Sequence, residues 1–379
     1  MDDLAKALDK LQAKHLLRTR STRSSAQQIE PVIDGRKVLS FCSNDYLGLA
    51  NHPGIIERYV QAAREHGVGS GASHLITGHH RSHQALEEEL AEFMGCERAL
   101  LFSTGYMANL GVVSALAGRA STVFEDRLNH ASLIDAAMLT RGRLERYGHL
   151  DMDELQHKLT AASERSRLIA SDGVFSMDGT VTPVDALQEL ASTHDAWLVI
   201  DDAHGIGVVG EHGKGCTEGR LAHDIVVVGT LGKAFGLFGA FATGSRDVIE
   251  WCLQRARSYV YTTALPPSLA EAARAALQLV REESWRREKL RALITYFRTC
   301  ADQTGLPVTP SETPIQPLIL GSPLTALKAS RSLLDEGILV PAIRPPTVAR
   351  HQARLRVTFS AAHTETHVDR LIEALVKAA

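Results

Sequence analysis

A chain of 379 residues with 44% hydrophobic and 22% charged side chains has material for one large α/β unit plus a smaller one. Its formal net charge of -3 gives no field to draw in nucleic acid or an anionic membrane. The opening Met-Asp-Asp-Leu-Ala-Lys has no apolar run for a secretory signal or a membrane span, so a cytoplasmic protein is expected. The five cysteines, Cys42, Cys96, Cys216, Cys252 and Cys300, are scattered, odd in number and free of any Cys-x-x-Cys pair, which argues against a disulfide framework and a thiolate zinc site.

Residues 2–18 carry Leu4, Leu8 and Leu11 at helical spacing and lead into an arm with Arg18, Arg20 and Arg23. These arginines make either a solvated basic face or a reach toward an anionic substrate. Val38 to Cys42 reads as a short strand running into Ser43-Asn44-Asp45-Tyr46-Leu47-Gly48. Residues 67–78 hold too much glycine for helix or regular strand and predict a loop that lets backbone approach something closely. A helix follows, with Leu86, Leu90, Phe93 and Met94 on one face and Gly95 to close it. His74, His79, His80 and His83 crowd this neighbourhood, but no carboxylate falls among them at ligand spacing, so no metal is expected.

From Ala99 the chain alternates strand and helix. Strands are predicted at 99–102, 122–124, 167–170 and 196–200, and helices at 107–116 and from about 129. Such alternation predicts a mostly parallel sheet with helices on both faces, whose functional loops gather at the strand C-termini. Tyr106, His130, Ser176, Asp201, His204 and Lys233 all lie at or just past such ends. The last of these follows the most apolar strand. Ile225 to Val228 are four β-branched residues in a row, and Gly229, Gly232 and Gly236 loosen the backbone around Lys233. A lysine there is a surface side chain or, if desolvated, a nucleophile. Beyond Pro266-Pro267 come an alanine-rich helix at 268–283, another through Leu290 and Phe297, short strands from about 305 to 358, and a final amphipathic helix through Val368 and Leu375. The expected division is an N-terminal helix and arm over 1–45, a large domain over 46–280 and a smaller C-terminal α/β domain over 281–379.

Two motifs point elsewhere. Gly205-Ile-Gly207-Val-Val-Gly210 has the spelling of a dinucleotide turn, yet Gly213 and Gly215 follow at once where a helix should open. Gly229 to Ala234 suggests a phosphate loop, but only two residues separate its glycines and Ala234 stands where a metal-binding hydroxyl is needed.

A Schiff-base lysine becomes useful beside an electron-sink cofactor. Pyridoxal phosphate asks for a carboxylate at its ring nitrogen, a donor to its phenolic oxygen, a flat group on its ring and donors for its phosphate. Asp201, His204, His130 and the turn from Ser103 to Tyr106 can supply them. With Ser-Asn-Asp-Tyr-Leu-Gly (43–48), Asp-Arg-Leu-Asn-His-Ala-Ser (126–132), Gly-Val-Phe-Ser-Met-Asp-Gly (173–179), Asp-Asp-Ala-His-Gly (201–205) and Thr-Leu-Gly-Lys-Ala-Phe-Gly (230–236), the chain resembles the α-oxoamine synthase family of fold-type I pyridoxal phosphate enzymes from about residue 4 to its end.

The resemblance implies a role for each matching residue. Lys233 would hold the cofactor as a Schiff base and serve as the base at the amino acid's Cα. Asp201 would keep the ring nitrogen protonated, His130 would stack on the ring, His204 would bond the phenolic oxygen and Ser176 would lie beside it. Gly105, Tyr106 and Thr230 would hold the phosphate, joined by Thr263 of a neighbouring subunit in a homodimer. Arg344 and Arg18, with Thr347 and Asn44, would bind substrates. Within the family, Asp-Asp-Ala-His-Gly and Ala-Ile-Arg-Pro-Pro-Thr-Val favour the member that joins L-alanine to a pimeloyl thioester, carried on coenzyme A or an acyl carrier protein, in biotin biosynthesis. Glycine C-acetyltransferase is the alternative. Asp172, where glutamate is more usual, and the loop from Ala72 to Thr77 depart from the pattern and bear on selectivity.

Overall fold

The computed structural model describes residues 3–164, 166–220 and 224–378. The chain divides into two compact units, one of residues 52–176 and 181–284, the other of residues 1–51, 177–180 and 285–379.

The first unit is built on a seven-stranded sheet. Its strands are β1 (Arg98–Phe102), β2 (Ser121–Asp126), β3 (Arg143–Tyr147), β4 (Ser166–Asp172), β5 (Ala196–Asp201), β6 (Ile225–Thr230) and β7 (Ala240–Gly244), in the spatial order β1-β7-β6-β5-β4-β2-β3. The run β3, β2, β4, β5, β6 is parallel, and β7 is antiparallel to both β6 and β1. Ile225 to Val228 of β6 are buried, as a continuous apolar run requires. The helix Gly105–Leu116 is apolar on nearly every side. Its Val112 and Val113 pack into a core with Val123, Leu168, Val199 and Val226.

Two strands in this sheet were not expected. β3 carries Arg143, Glu145 and Arg146, which an edge strand tolerates and an alternation search discounts. β7 is a short run of small and apolar residues returning from the Lys233 loop as the second arm of a hairpin. The glycine-rich segment also departs from expectation. Within it, His74–Gly78 closes a π-helical turn, held by the His74 ring stacked on Tyr259 at 4.9 Å.

The second unit holds a three-stranded antiparallel sheet of Ile315–Gly321, Ala353–Thr358 and Ala342–Ile343, with Ala353–Thr358 in the middle. The helix Pro323–Asp335 packs on it and on the C-terminal helix Glu365–Ala378. The N-terminal segment joins through a parallel pairing of Leu39–Ser40 with Ile338–Leu339, and the Phe41 ring stacks on His363 at 4.4 Å. The first helix spans Leu4–Ala13, shorter than the predicted 2–18, and exposes Leu4, Leu8 and Leu11.

Candidate active site

The register of the parallel strands sets Asp172, at the end of β4, directly beside Asp201, at the end of β5. Asp201 is buried and accepts from the Asn109 side chain and, at 3.1 Å, from the Ala203 amide. Asp172 accepts the His130 amide at 3.1 Å, and its other oxygen is buried with no hydrogen-bond partner among the described residues. Burial, and then the charge of Asp201, push Asp172 well above the carboxylate range.

His130 caps the helix Ala131–Thr140, its Nδ1 accepting the Ser132 amide at 3.3 Å, a network that assigns the ring proton to Nε2. The helix Gly105–Leu116 starts two residues earlier than predicted. Thr104 caps it by accepting the Met107 amide at 3.2 Å, so Gly105 and Tyr106 form the first turn, where amides lack intrahelical acceptors. Lys233 rides the hairpin loop between β6 and β7. That loop is pinned by Leu231 donating to the Gly239 carbonyl at 2.9 Å and Leu237 donating to the Leu231 carbonyl at 2.8 Å. At its root the Thr230 hydroxyl donates to the Gly239 carbonyl and accepts the Gly232 amide, each at 3.1 Å.

These elements enclose a cavity of about 210 Å³ lined by Gly105, Tyr106, His130, Ser176, Asp201, His204, Thr230 and Lys233, together with Ser132, Asp172, Val174 and Ala203. Thr263 is exposed and is not among its lining residues. In the other unit, Arg18 donates to Thr347 at 3.0 Å and Arg344 donates to the His15 carbonyl, while Asn44 accepts from Arg356 at 3.2 Å. Asn109 and Ser132 were missed. Asn109 is fully buried and donates to both Ser132 and Asp201, and a lone amide in an otherwise apolar helix was the available signal.

The other histidine group differs. Ring nitrogens of His74, His79 and His83 lie within 4.8 Å of one another. His83, however, accepts the His80 amide at 2.9 Å and donates to the Leu265 carbonyl at 2.8 Å, so both its nitrogens are spent. The dinucleotide-like run from Gly205 to Gly210 lies in turns and opens no helix.

Residues 36–375 match the model of the aminotransferase class I and II family. The chain belongs to that family. It is 54% identical to the 8-amino-7-oxononanoate synthase of Thioalkalivibrio sulfidiphilus, over 99% of this chain and 97% of that one, and 54% identical to that of Methylococcus capsulatus, over 99% and 98%. Among solved structures it is similar to the serine palmitoyltransferase of Sphingomonas wittichii, with a TM-score of 0.94 at 30% identity over 100% of this chain and 96% of that one. The 8-amino-7-oxononanoate synthase of Francisella tularensis matches with a TM-score of 0.79 at 31% identity, over 90% and 97%. The fold is thus that of the fold-type I pyridoxal phosphate transferases, and this family member is a pyridoxal phosphate-dependent acyltransferase.

The cavity suits that cofactor. It offers a buried carboxylate at Asp201, an amine at Lys233 and the N-terminal turn of a helix for a phosphate. Nothing lies within 4 Å of where a Gly105 side chain would stand, and the unpartnered buried oxygens of Asp172 and Asn109 lie beside Asp201. Among the described residues no helix is long and apolar enough to cross a membrane.

Proposed function

We infer that this protein condenses L-alanine with a pimeloyl thioester, releasing carbon dioxide and the free thiol and forming 8-amino-7-oxononanoate for biotin biosynthesis. The observation that carries the reading is the single cavity holding Lys233, Asp201, His204 and His130 against the first turn of the helix Gly105–Leu116. Its close likeness to 8-amino-7-oxononanoate synthases selects the reaction within the family.

Bound pyridoxal phosphate supplies a ring that accepts the negative charge developing at the amino acid's Cα. The Lys233 amine would anchor the cofactor and, once free, take the Cα proton. Asp201 would keep a proton on the ring nitrogen. His204 would donate to the phenolic oxygen with Ser176 beside it, and His130 would cover the ring. Gly105, Tyr106 and Thr230 would hold the phosphate, joined by Thr263 of the neighbouring subunit in a homodimer. Arg344 pairs with the alanine carboxylate through its planar fork, and Arg18, Thr347 and Asn44 serve the substrates.

The test is purified protein with pyridoxal phosphate, offered L-alanine, glycine or L-serine with acyl thioesters of several lengths on coenzyme A or acyl carrier protein. Alanine with the pimeloyl thioester should give the product by mass spectrometry, and preference for glycine with the acetyl thioester would overturn the reading. Lys233→Ala should lose turnover by about 10³-fold or more, together with the visible absorbance of lysine-bound cofactor.

A further inference from the structure

Asp202 takes no part in the chemistry above, yet the site's backbone is arranged around it. Its amide donates to the Val228 carbonyl on β6 at 2.9 Å, and its carbonyl accepts the amides of Gly205 and Ile206 at 3.1 and 3.0 Å. The side chain is wholly buried. Oδ2 accepts the Cys216 amide at 2.7 Å, and Oδ1 has no hydrogen-bond partner among the described residues. Three glycines crowd this carboxyl. A Cβ at Gly173 would stand 2.5 Å from Oδ1, one at Gly205 2.1 Å from Oδ1, and one at Gly215 1.9 Å from Oδ2. Each distance is far inside contact, so the carboxyl occupies space a side chain would need at all three. At Gly205 the three nearest atoms are all its own, whereas Gly173 also faces the Cys216 Sγ at 2.7 Å and Gly215 stands at φ +91°, where glycine is favoured in any case.

The socket matters because of what its walls carry. Gly173 follows Asp172, precedes the cavity residue Val174 and donates to the Asp201 carbonyl at 2.7 Å. Gly205 follows His204 directly. Gly215 ends the loop that returns from the dinucleotide-like run, whose first glycine, Gly205, thus has a purpose unrelated to nucleotides.

We propose that Asp202 is a positioning residue of the cofactor site, its carboxyl filling a socket of Gly173, Gly205 and Gly215 and so setting where His204 and Asp172 meet the cavity. This rests on the reading that His204 and Asp201 hold pyridoxal phosphate. Burial raises the Asp202 carboxyl to about 7, which the charge of Asp201 reinforces against the bonds from Cys216.

The test is a double-mutant cycle of Asp202→Ala and Gly205→Ala, read by pyridoxal phosphate titration of the cofactor-free protein and by its melting temperature. Each single variant should weaken cofactor affinity by about tenfold. The added methyl should cost nothing once the carboxyl is gone, so the double variant should bind within about threefold of Asp202→Ala. Asp202→Asn, of the same shape, should stay within about threefold of wild type. If Gly205→Ala does not accumulate, Asp202→Ala and Asp202→Asn decide alone, the first having to lose affinity and the second to keep it. Additive losses, or wild-type affinity and absorbance in Asp202→Ala, overturn the proposal. So does coupling in melting temperature with none in affinity, which makes Asp202 a folding element only. A wild-type protein that takes up no pyridoxal phosphate sinks the site reading first, and this proposal with it.

Discussion

Two groups of histidines in one unit use the same local chemistry to opposite ends. His83 and His130 each accept a backbone amide at the start of a helix, the first from His80 and the second from Ser132. They differ in what the rest of the ring meets. His83 finds the Leu265 carbonyl and is wholly buried, and its neighbour His74 stacks on Tyr259. His130 keeps an exposed ring at the edge of a cavity that also holds a lysine and two carboxyls. A histidine's work is therefore told by what its cap bond leaves over. Crowding in sequence, which singled out residues 74–83, reports packing here.

The comparison breaks most visibly through activity. His130→Ala should lower kcat/KM by about 10²-fold while leaving the melting temperature nearly unchanged, because its ring covers a cavity and not a core. His83→Ala should do the reverse. It strands the His80 amide and the Leu265 carbonyl and opens a void, a loss of roughly 2–4 kcal/mol in a urea titration, with activity per folded molecule kept within about threefold. Equal losses of activity in both variants would erase the distinction.

Much of this contrast is legible before any coordinates. Lys233, Asp201 and His130 stand out because each ends or follows a strand with a strong pattern, and strand ends in a parallel sheet converge. Asn109 does not, because the helix around it reads as core and only its bond to Asp201 gives the amide a purpose. Asp172 was suspected of bearing on selectivity. Its hold on the His130 amide and its place beside Asp201 depend on register, which no pattern within one strand encodes. β3 escaped because an edge strand carries charge where an interior one cannot. Gly205 opened a false nucleotide motif because close backbone approach to a carboxyl and to a pyrophosphate demand the same residue.

The buried groups also divide by the sign of their response to pH. Burial lowers His74 to about 3 and His83 to about 4, with neighbouring imidazoles adding to it. Their folded values lie below the ordinary 6.5, so the unfolded chain binds protons first. The stability they contribute is present above pH 6.5 and drains away as pH falls toward 4. His83→Gln should therefore flatten the fall in melting temperature between pH 7 and pH 5, by about 2–4 °C. An unchanged slope would mean that His83 is charged in the folded protein.

Glu125 in β2 runs the other way and gives the smallest effect. Both its oxygens are buried without a hydrogen-bond partner among the described residues, and burial raises it to about 8 against the pull of Arg146. Its folded value exceeds the ordinary 4.5, so the folded chain keeps a proton that the unfolded chain gives up. Stability is whole below about pH 4.5 and is lost as pH climbs through 8. Glu125→Gln removes that ionisation while keeping the shape. Relative to wild type it should gain about 1–3 °C in melting temperature on going from pH 5 to pH 9, with the two proteins closest at the acid end. A difference that is constant across the range would show that the carboxyl finds a partner when it ionises. Glu125 would then be a carboxylate whose charge is compensated, unlike His83, whose neutrality is enforced by packing.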